Sequence, residues 1–136
     1  MVNVERLVKP LNLETLERLE EINKQGHDDS FTFKGAQNIF VAKDNFQIIG
    51  FAVLNRPHGY WYFRNCVVDK QYVGGVQRKL IEARLKYVED QGGNRVSTLV
   101  NPQNYRSLNN LTSAGFKFKG MKRHNDSQYQ LLEKRL

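Results

Sequence analysis

Three features of this 136-residue sequence predict an α+β fold built on one mixed sheet, parallel at its centre and otherwise antiparallel, with flanking helices. Its segments read in the order strand, helix, three strands, helix, strand, helix, two strands. Strand, helix, strand transitions favour a parallel pair, whereas short turn pairs between neighbouring strands favour antiparallel hairpins. The length suits a single domain over residues 1–136, with no linker, repeat or low-complexity block.

The first segment, "VNVERLVKP", begins as an alternating strand and ends at Pro10, which opposes helix from the residue before it. In "LNLETLERLEEINKQG", Asn12 is a candidate N-cap, Leu13, Leu16, Leu19 and Ile22 recur by threes, and Gly26 is a stop. The stretch "HDDSFTFKG" is polar and irregular. "NIFVAKD" and "FQIIGFAVLN" then flank Asp44-Asn45, a pair suited to a two-residue hairpin turn. "RPHG" turns the chain into "YWYFRNCVVD", a strand rich in aromatic and β-branched residues. From Val76, a helical stripe of Val76, Leu80, Ala83, Tyr87 and Val88 ends before Gly92-Gly93, and "RVSTLVN" reads as a strand. "NPQNYRSLNNLTSAG" leads through a loop into a short helix closed by Gly115. "FKFKGMKR" and "SQYQLLEKR" form a last hairpin around "HNDS".

A formal charge of +7 invites an anionic partner, and the basic residues gather near the end as Lys117, Lys119, Lys122, Arg123, His124, Lys134 and Arg135. No nucleic-acid module accompanies them, so an acidic protein surface or a phosphorylated small molecule is preferred over nucleic acid. No apolar run approaches the roughly 18 to 20 residues that span a bilayer, and "MVNVERLVKP" lacks a signal-peptide core. The expectation is a cytoplasmic protein without a membrane partner. The single cysteine, Cys66, reads as a buried strand thiol rather than a nucleophile. His27, Asp28 and Asp29 are contiguous and cannot by themselves surround a metal ion, so no metal site is expected.

"VVDKQYVGGVQRKL" carries the most chemistry. The start of a helix presents about four unpaired amides and a partial positive charge, which together hold an anion without a charged side chain. Gly74 and Gly75 remove side chains where a phosphate would approach, and Lys70, Arg78 and Lys79 add positive charge. The simpler reading is a tight connection between strand and helix. The patterns GxxxxGK[ST] and GxGxxG are both absent, which sets nucleotide kinases and Rossmann enzymes aside.

With "NYRSLNNLTSAGF", this stretch resembles the GNAT acetyltransferase superfamily, and the element order extends the resemblance over most of the chain. Val68, Asp69, Gly74, Gly75 and Leu80 match the strand, glycine loop and helix that bind CoA in that family. Asn104, Ser107, Gly115 and Phe116 match its second motif. The resemblance implies acetyl-CoA as cosubstrate and transfer of an acetyl group to an amine on a small molecule or protein. It places the pantetheine along Val67 and Val68, and the pyrophosphate on the amides of Val73, Gly74, Gly75, Val76 and Gln77. Arg78 would neutralise phosphate charge, and Asn104 and Ser107 would lie beside the pantetheine arm. Lys70 stands where the family has proline, and the bulk of Val76 is expected to restrict phosphate approach. Short patterns at "GFKF" and "QYQLL" also resemble small phage-encoded proteins with degenerate features of this fold.

The catalytic positions depart further. The strand segment "YFRNC" has no carboxylate to act as base, and Leu111 occupies the place of the family's acidic tyrosine, with Tyr105 six positions earlier. Asp28, Asp29 and Glu20 or Glu21 are candidates to attract a cationic amine, and one face of Tyr60, Trp61, Tyr62 and Phe63 could border an acceptor groove. The catalytic residues are therefore unassigned. A binding or structural protein on the same fold, such as a virion or host-interaction protein, is the alternative to an N-acyltransferase.

Overall fold

A computed structural model describes residues 1–26, 31–72 and 74–136 of the chain. The chain runs β1 (Val2–Arg6), α1 (Leu13–Asn23), β2 (Asn38–Asp44), β3 (Gln47–Asn55), β4 (Trp61–Val68), α2 (Val76–Asp90), β5 (Arg95–Val100), α3 (Tyr105–Ser113), β6 (Lys117–His124) and β7 (Ser127–Arg135). The strands form one sheet in the order β1-β2-β3-β4-β5-β7-β6. Only β4 and β5 pair in parallel; every other neighbouring pair is antiparallel.

The sequence explains the layering. In β2, Phe40 and Ala42 face one core while Ile39 and Val41 face the other, as period-two side chains must. The run "IIGFAVL" of β3 lacks polar alternation because the strand is covered on both faces, and all seven residues are buried. Leu19 and Ile22 of α1 close one core with Phe31, Phe33 and Phe51. Val76, Leu80, Ile81 and Val88 of α2 close the other with Phe63, Val96 and Leu132.

The helix ends follow from particular residues. Asn12 caps α1, its side chain accepting from the Thr15 amide at 2.7 Å. α3 closes with the paired bonds of a Schellman motif, from the Gly115 amide to the Thr112 carbonyl and from the Phe116 amide to the Leu111 carbonyl. Gly115 there has φ +100°, which glycine adopts without strain.

The structure corrects three expectations. β1 ends at Arg6 rather than Pro10, because its last ladder partner is Phe40 and β2 extends only to Asn38 beyond it. The first hairpin turns at Asn45-Phe46, one residue later than expected, since Asp44 still pairs with Gln47. Asn45 takes the positive φ there, and Phe46 is 98% exposed. Of the three strand, helix, strand transitions only β4-α2-β5 yields a parallel pair, as β1 returns antiparallel beside β2 and β5 neighbours β7 rather than β6.

The pairing of β3 with β4 contains one irregularity. Ala52 faces Cys66 and Leu54 faces Phe63, so Arg64 and Asn65 of β4 together oppose Val53 alone. Such a bulge bends the strand and reverses side-chain alternation beyond it. Trp61 and Phe63 therefore share the α2-side core with Cys66 and Val68, while Val67 turns to the other.

Candidate functional site

Past the bulge, β4 leaves β5. The two strands pair only at Trp61–Val96, Tyr62–Ser97 and Phe63–Thr98, although β4 continues to Val68 and β5 to Val100. The Thr98 hydroxyl donates to the Phe63 carbonyl at 3.0 Å and pins the last pair. Beyond it a cavity of about 910 Å³ opens between the strands, bounded by Val67 and Val68, by Leu99 and Asn101, and by the starts of α2 and α3.

The turn at its end is built around Asp69. The Asp69 carboxylate accepts from the Arg18 guanidinium at 2.9 Å and from the Gln71 amide at 3.1 Å, while the Tyr72 amide donates to its carbonyl at 2.8 Å. The Gln71 amide, then the Arg18 and Gln25 side chains, hold the carboxyl below its ordinary pKa against the opposing effect of burial. Gly74 and Gly75 follow at φ +87° and +85°, a left-handed pair that residues with a Cβ resist. A Cβ on either would meet nothing within 4 Å, so both face open space.

α2 begins without a side-chain cap and without an acidic residue in its first turn, and its first intrahelical bond runs from the Lys79 amide to the Gly75 carbonyl. The amides of Val76, Gln77 and Arg78 are thus left to an external acceptor, with Arg78 and Lys79 adding charge where the helix dipole is already positive. By contrast, α1 and α3 are each capped by asparagine.

Among residues expected at a cosubstrate site, Val67, Val68, Gly74, Gly75, Val76, Gln77, Asn104 and Ser107 line this one cavity. Arg78 is exposed and does not line it, and Val73 lies outside the described residues. Val76, expected to restrict phosphate approach, lines the cavity and is buried against the core with Leu80 and Ile81. Asn104 and Ser107 also have structural work. The Asn104 side chain accepts from the Ser107 amide at 3.2 Å, and the Ser107 hydroxyl accepts from the Gln77 amide group at 2.9 Å. The Asn110 amide donates to Gln77 at 2.8 Å, so these bonds tie α3 to α2 beside the cavity.

The acceptor-side expectations fare unevenly. Tyr62 lines the cavity, whereas Trp61 and Phe63 are core and Tyr60 is exposed. Glu20 and Glu21 do not line it, and Glu21 pairs with Arg18 at 2.7 Å. His27, Asp28 and Asp29 lie outside the described residues. Leu111 is 5% exposed within the core, and Tyr105 is exposed and off the cavity wall.

Several lining residues escape the sequence reading. Arg64, Arg106 and Lys122 line the cavity, and among the described residues no aspartate or glutamate does. The hairpin of β6 and β7 brings His124 and Tyr129 to the same wall, their rings 6.3 Å apart. Nothing local marks these two, because a fold-back of the last strands places them.

Adjoining the cavity is a recess of about 120 Å³, which shares Arg64, Cys66 and Leu99 among other residues with it and adds Phe63, Arg84 and Leu111. Burial raises the pKa of the Cys66 thiol despite the Arg84 charge, so it stays a thiol rather than an attacking thiolate at neutral pH. Burial likewise lowers the Arg84 guanidinium to about 10, with Cys66 opposing, and Arg84 remains cationic at neutral pH.

The cavity thus lies where a parallel pair splays at the uncapped start of a helix, and the chain belongs to the GNAT acetyltransferase family, whose model matches residues 5–116. Solved structures share the whole fold. The ribosomal-protein-S18-alanine N-acetyltransferase from Escherichia coli superposes with a TM-score of 0.81 at 18% identity, covering 99% of this chain and 94% of that one. Ard1 from Thermoplasma volcanium gives 0.83 at 15% identity, covering 99% and 97%. A GNAT family acetyltransferase from Elizabethkingia anophelis, solved with acetyl-CoA bound, gives 0.74 at 14% identity, covering 99% and 98%. A comparison with curated proteins finds no match. Among the described residues, no helix is long and apolar enough to cross a membrane.

Proposed function

We propose that this protein is an acetyl-CoA-dependent N-acyltransferase that moves an acetyl group onto an amine of a small molecule or protein. The observation that carries the reading is the divergence of β4 and β5 after three residue pairs into a cavity that ends at the uncapped start of α2. In this reading the pyrophosphate takes the amides of the Gly74 to Gln77 turn, where Val73 also contributes and Arg78 supplies nearby charge. The pantetheine lies along the unpaired edge of Val67 and Val68, with Asn104 and Ser107 opposite.

The chemistry needs the attacking ammonium to lose a proton and the departing CoA thiolate to gain one. No carboxylate lines the cavity among the described residues, and the groups at its wall that can carry a proton include His124, Tyr62, Tyr72, Tyr129, Cys66 and Lys122. Holding amine and thioester in register supplies much of the barrier reduction, and an amine of depressed pKa needs little base.

The second reading, a GNAT-fold protein that binds without catalysis, is favoured by the same missing carboxylate and by the core position of Leu111. Calorimetric titration with CoA and acetyl-CoA, followed by a thiol-release assay over a panel of amines, separates the two. The transferase reading expects micromolar to sub-millimolar binding and amine-dependent release. Absence of CoA binding near millimolar concentration would sink both the cosubstrate site and the transferase, whereas binding with no release on any amine favours the binding protein.

A further inference from the structure

The recess beside the cavity has two arginines on its wall, Arg64 and the more deeply buried Arg84, and its described lining includes no aspartate or glutamate. Arg84 sits in the middle of α2's buried stripe, between Leu80 and Val88, and is 2% exposed. Its Nε donates to the Leu80 carbonyl and its Nη1 to the Val53 carbonyl, both at a long 3.3 Å. The guanidinium carbon lies 3.7 Å from the centre of the Phe63 ring. Among the described residues no aspartate or glutamate lines the recess. Carbonyls and a ring face ease a buried charge without neutralising it, and buried guanidinium groups are ordinarily paired because desolvation is costly.

The surroundings point to what pairs with it. The recess adjoins the cavity where β4 and β5 part, and Cys66 and Leu99 are among the residues that line both. Phe63, Val100 and Leu111 offer apolar contacts for methylenes, and Gln77, Thr98 and Asn104 offer polar ones. A buried guanidinium on the wall of a small recess of mixed polarity suits a carboxylate, which its planar fork can hold by two hydrogen bonds.

We propose that this recess receives the acyl chain of the CoA thioester and that Arg84 binds a carboxylate on that chain's end, extending the donor range from acetyl to dicarboxylic acyl groups of the malonyl and succinyl kind. The inference rests on the reading of the large cavity as the CoA site. The reaction keeps its balance: the amine nitrogen bonds to the thioester carbon, the C–S bond breaks, the thiolate takes up a proton, and the distal carboxylate is unchanged. Arg84 acts on donor choice, not on the proton transfers.

The test compares succinyl-CoA with butyryl-CoA, which has the same chain length and ends in methyl, by equilibrium titration against the intact protein. The wild type is expected to bind succinyl-CoA about tenfold more tightly, as a charge-assisted pair in a buried recess should. Arg84→Met is expected to abolish or invert that ratio, with a melting curve confirming that the variant folds. Arg84→Lys keeps a charge without the planar fork and is expected to retain part of the preference should Arg84→Met fail to fold. A wild-type ratio near one, while CoA itself binds, overturns the role of Arg84 alone. An unchanged ratio in Arg84→Met overturns it as well. Absence of CoA binding overturns the underlying cavity assignment with it.

Discussion

Asp69 shows how a motif residue that resembles a functional one serves geometry. Its carboxylate links α1, through Arg18, to the turn that begins at Gln71, and it is buried. Because its folded pKa is lowered, its contribution to stability is fully present above the unfolded value of about 4 and is lost as pH falls through the folded value. Asp69→Asn should cost about 1–3 kcal/mol at neutral pH, since Arg18 loses a charged partner. Urea unfolding should show the gap between wild type and variant closing below about pH 4; a gap that persists in acid would mean that the carboxylate charge is not what matters. Leu111 makes a different case. It lies in the core with Phe116 and Leu132 and lines the recess, so Leu111→Tyr should destabilise by about 1–3 kcal/mol through overpacking. A denaturation midpoint equal to wild type would mean that the recess absorbs the ring.

At the scale of elements, the start of α2 is a helix terminus with its amides facing a void and basic residues in its first turn. Gly75→Ala separates two consequences of that geometry. The left-handed φ should cost about 1–2 kcal/mol of stability, whatever the ligand does. The added methyl, which meets no protein atom, should weaken CoA binding by standing where phosphate approaches. Gly75→Val should do both more strongly, because a β-branched residue tolerates positive φ least. Calorimetry on both variants checks this, and undiminished CoA affinity in Gly75→Val would remove the phosphate from that turn. The bulge at Arg64 and Asn65 is the other formative element. Its signal in the sequence is nil, since "YWYFRNCVV" reads as an unbroken strand, and only the mismatch with β3 reveals the extra residue.

Over the whole molecule, the net charge of +7 acquires a location. Arg64, Arg106 and Lys122 come from three different elements to one cavity, whose described lining residues include no aspartate or glutamate. Anion binding there should be electrostatically assisted and partly screened by salt. Raising salt from about 50 to about 500 mM is expected to weaken CoA binding roughly threefold to tenfold, a slope that repeated titrations would reveal and that a purely apolar pantetheine contact would not produce.

The elements were legible in the chain because their signals are local: apolar period, Asn12 and Asn104 at helix starts, Gly115 at a helix end, and positive-φ residues at the hairpins. So were the two segments that carry the expected cosubstrate residues, since the glycine turn and the Asn104 to Phe116 segment are contiguous patterns. The remainder came from packing between distant segments. That β7 rather than β6 pairs with β5, that β1 runs antiparallel to β2, and that β4 slips by one residue all depend on which edges are free when strands meet. The same holds for Arg84. On its helix it is one more basic residue between Leu80 and Val88, and it becomes a buried cation on the wall of a recess only once α2 packs against Phe63 and the parting strands. Local periodicity records which face of an element turns inward; what that face meets is set by long-range packing, which no short stretch of sequence encodes.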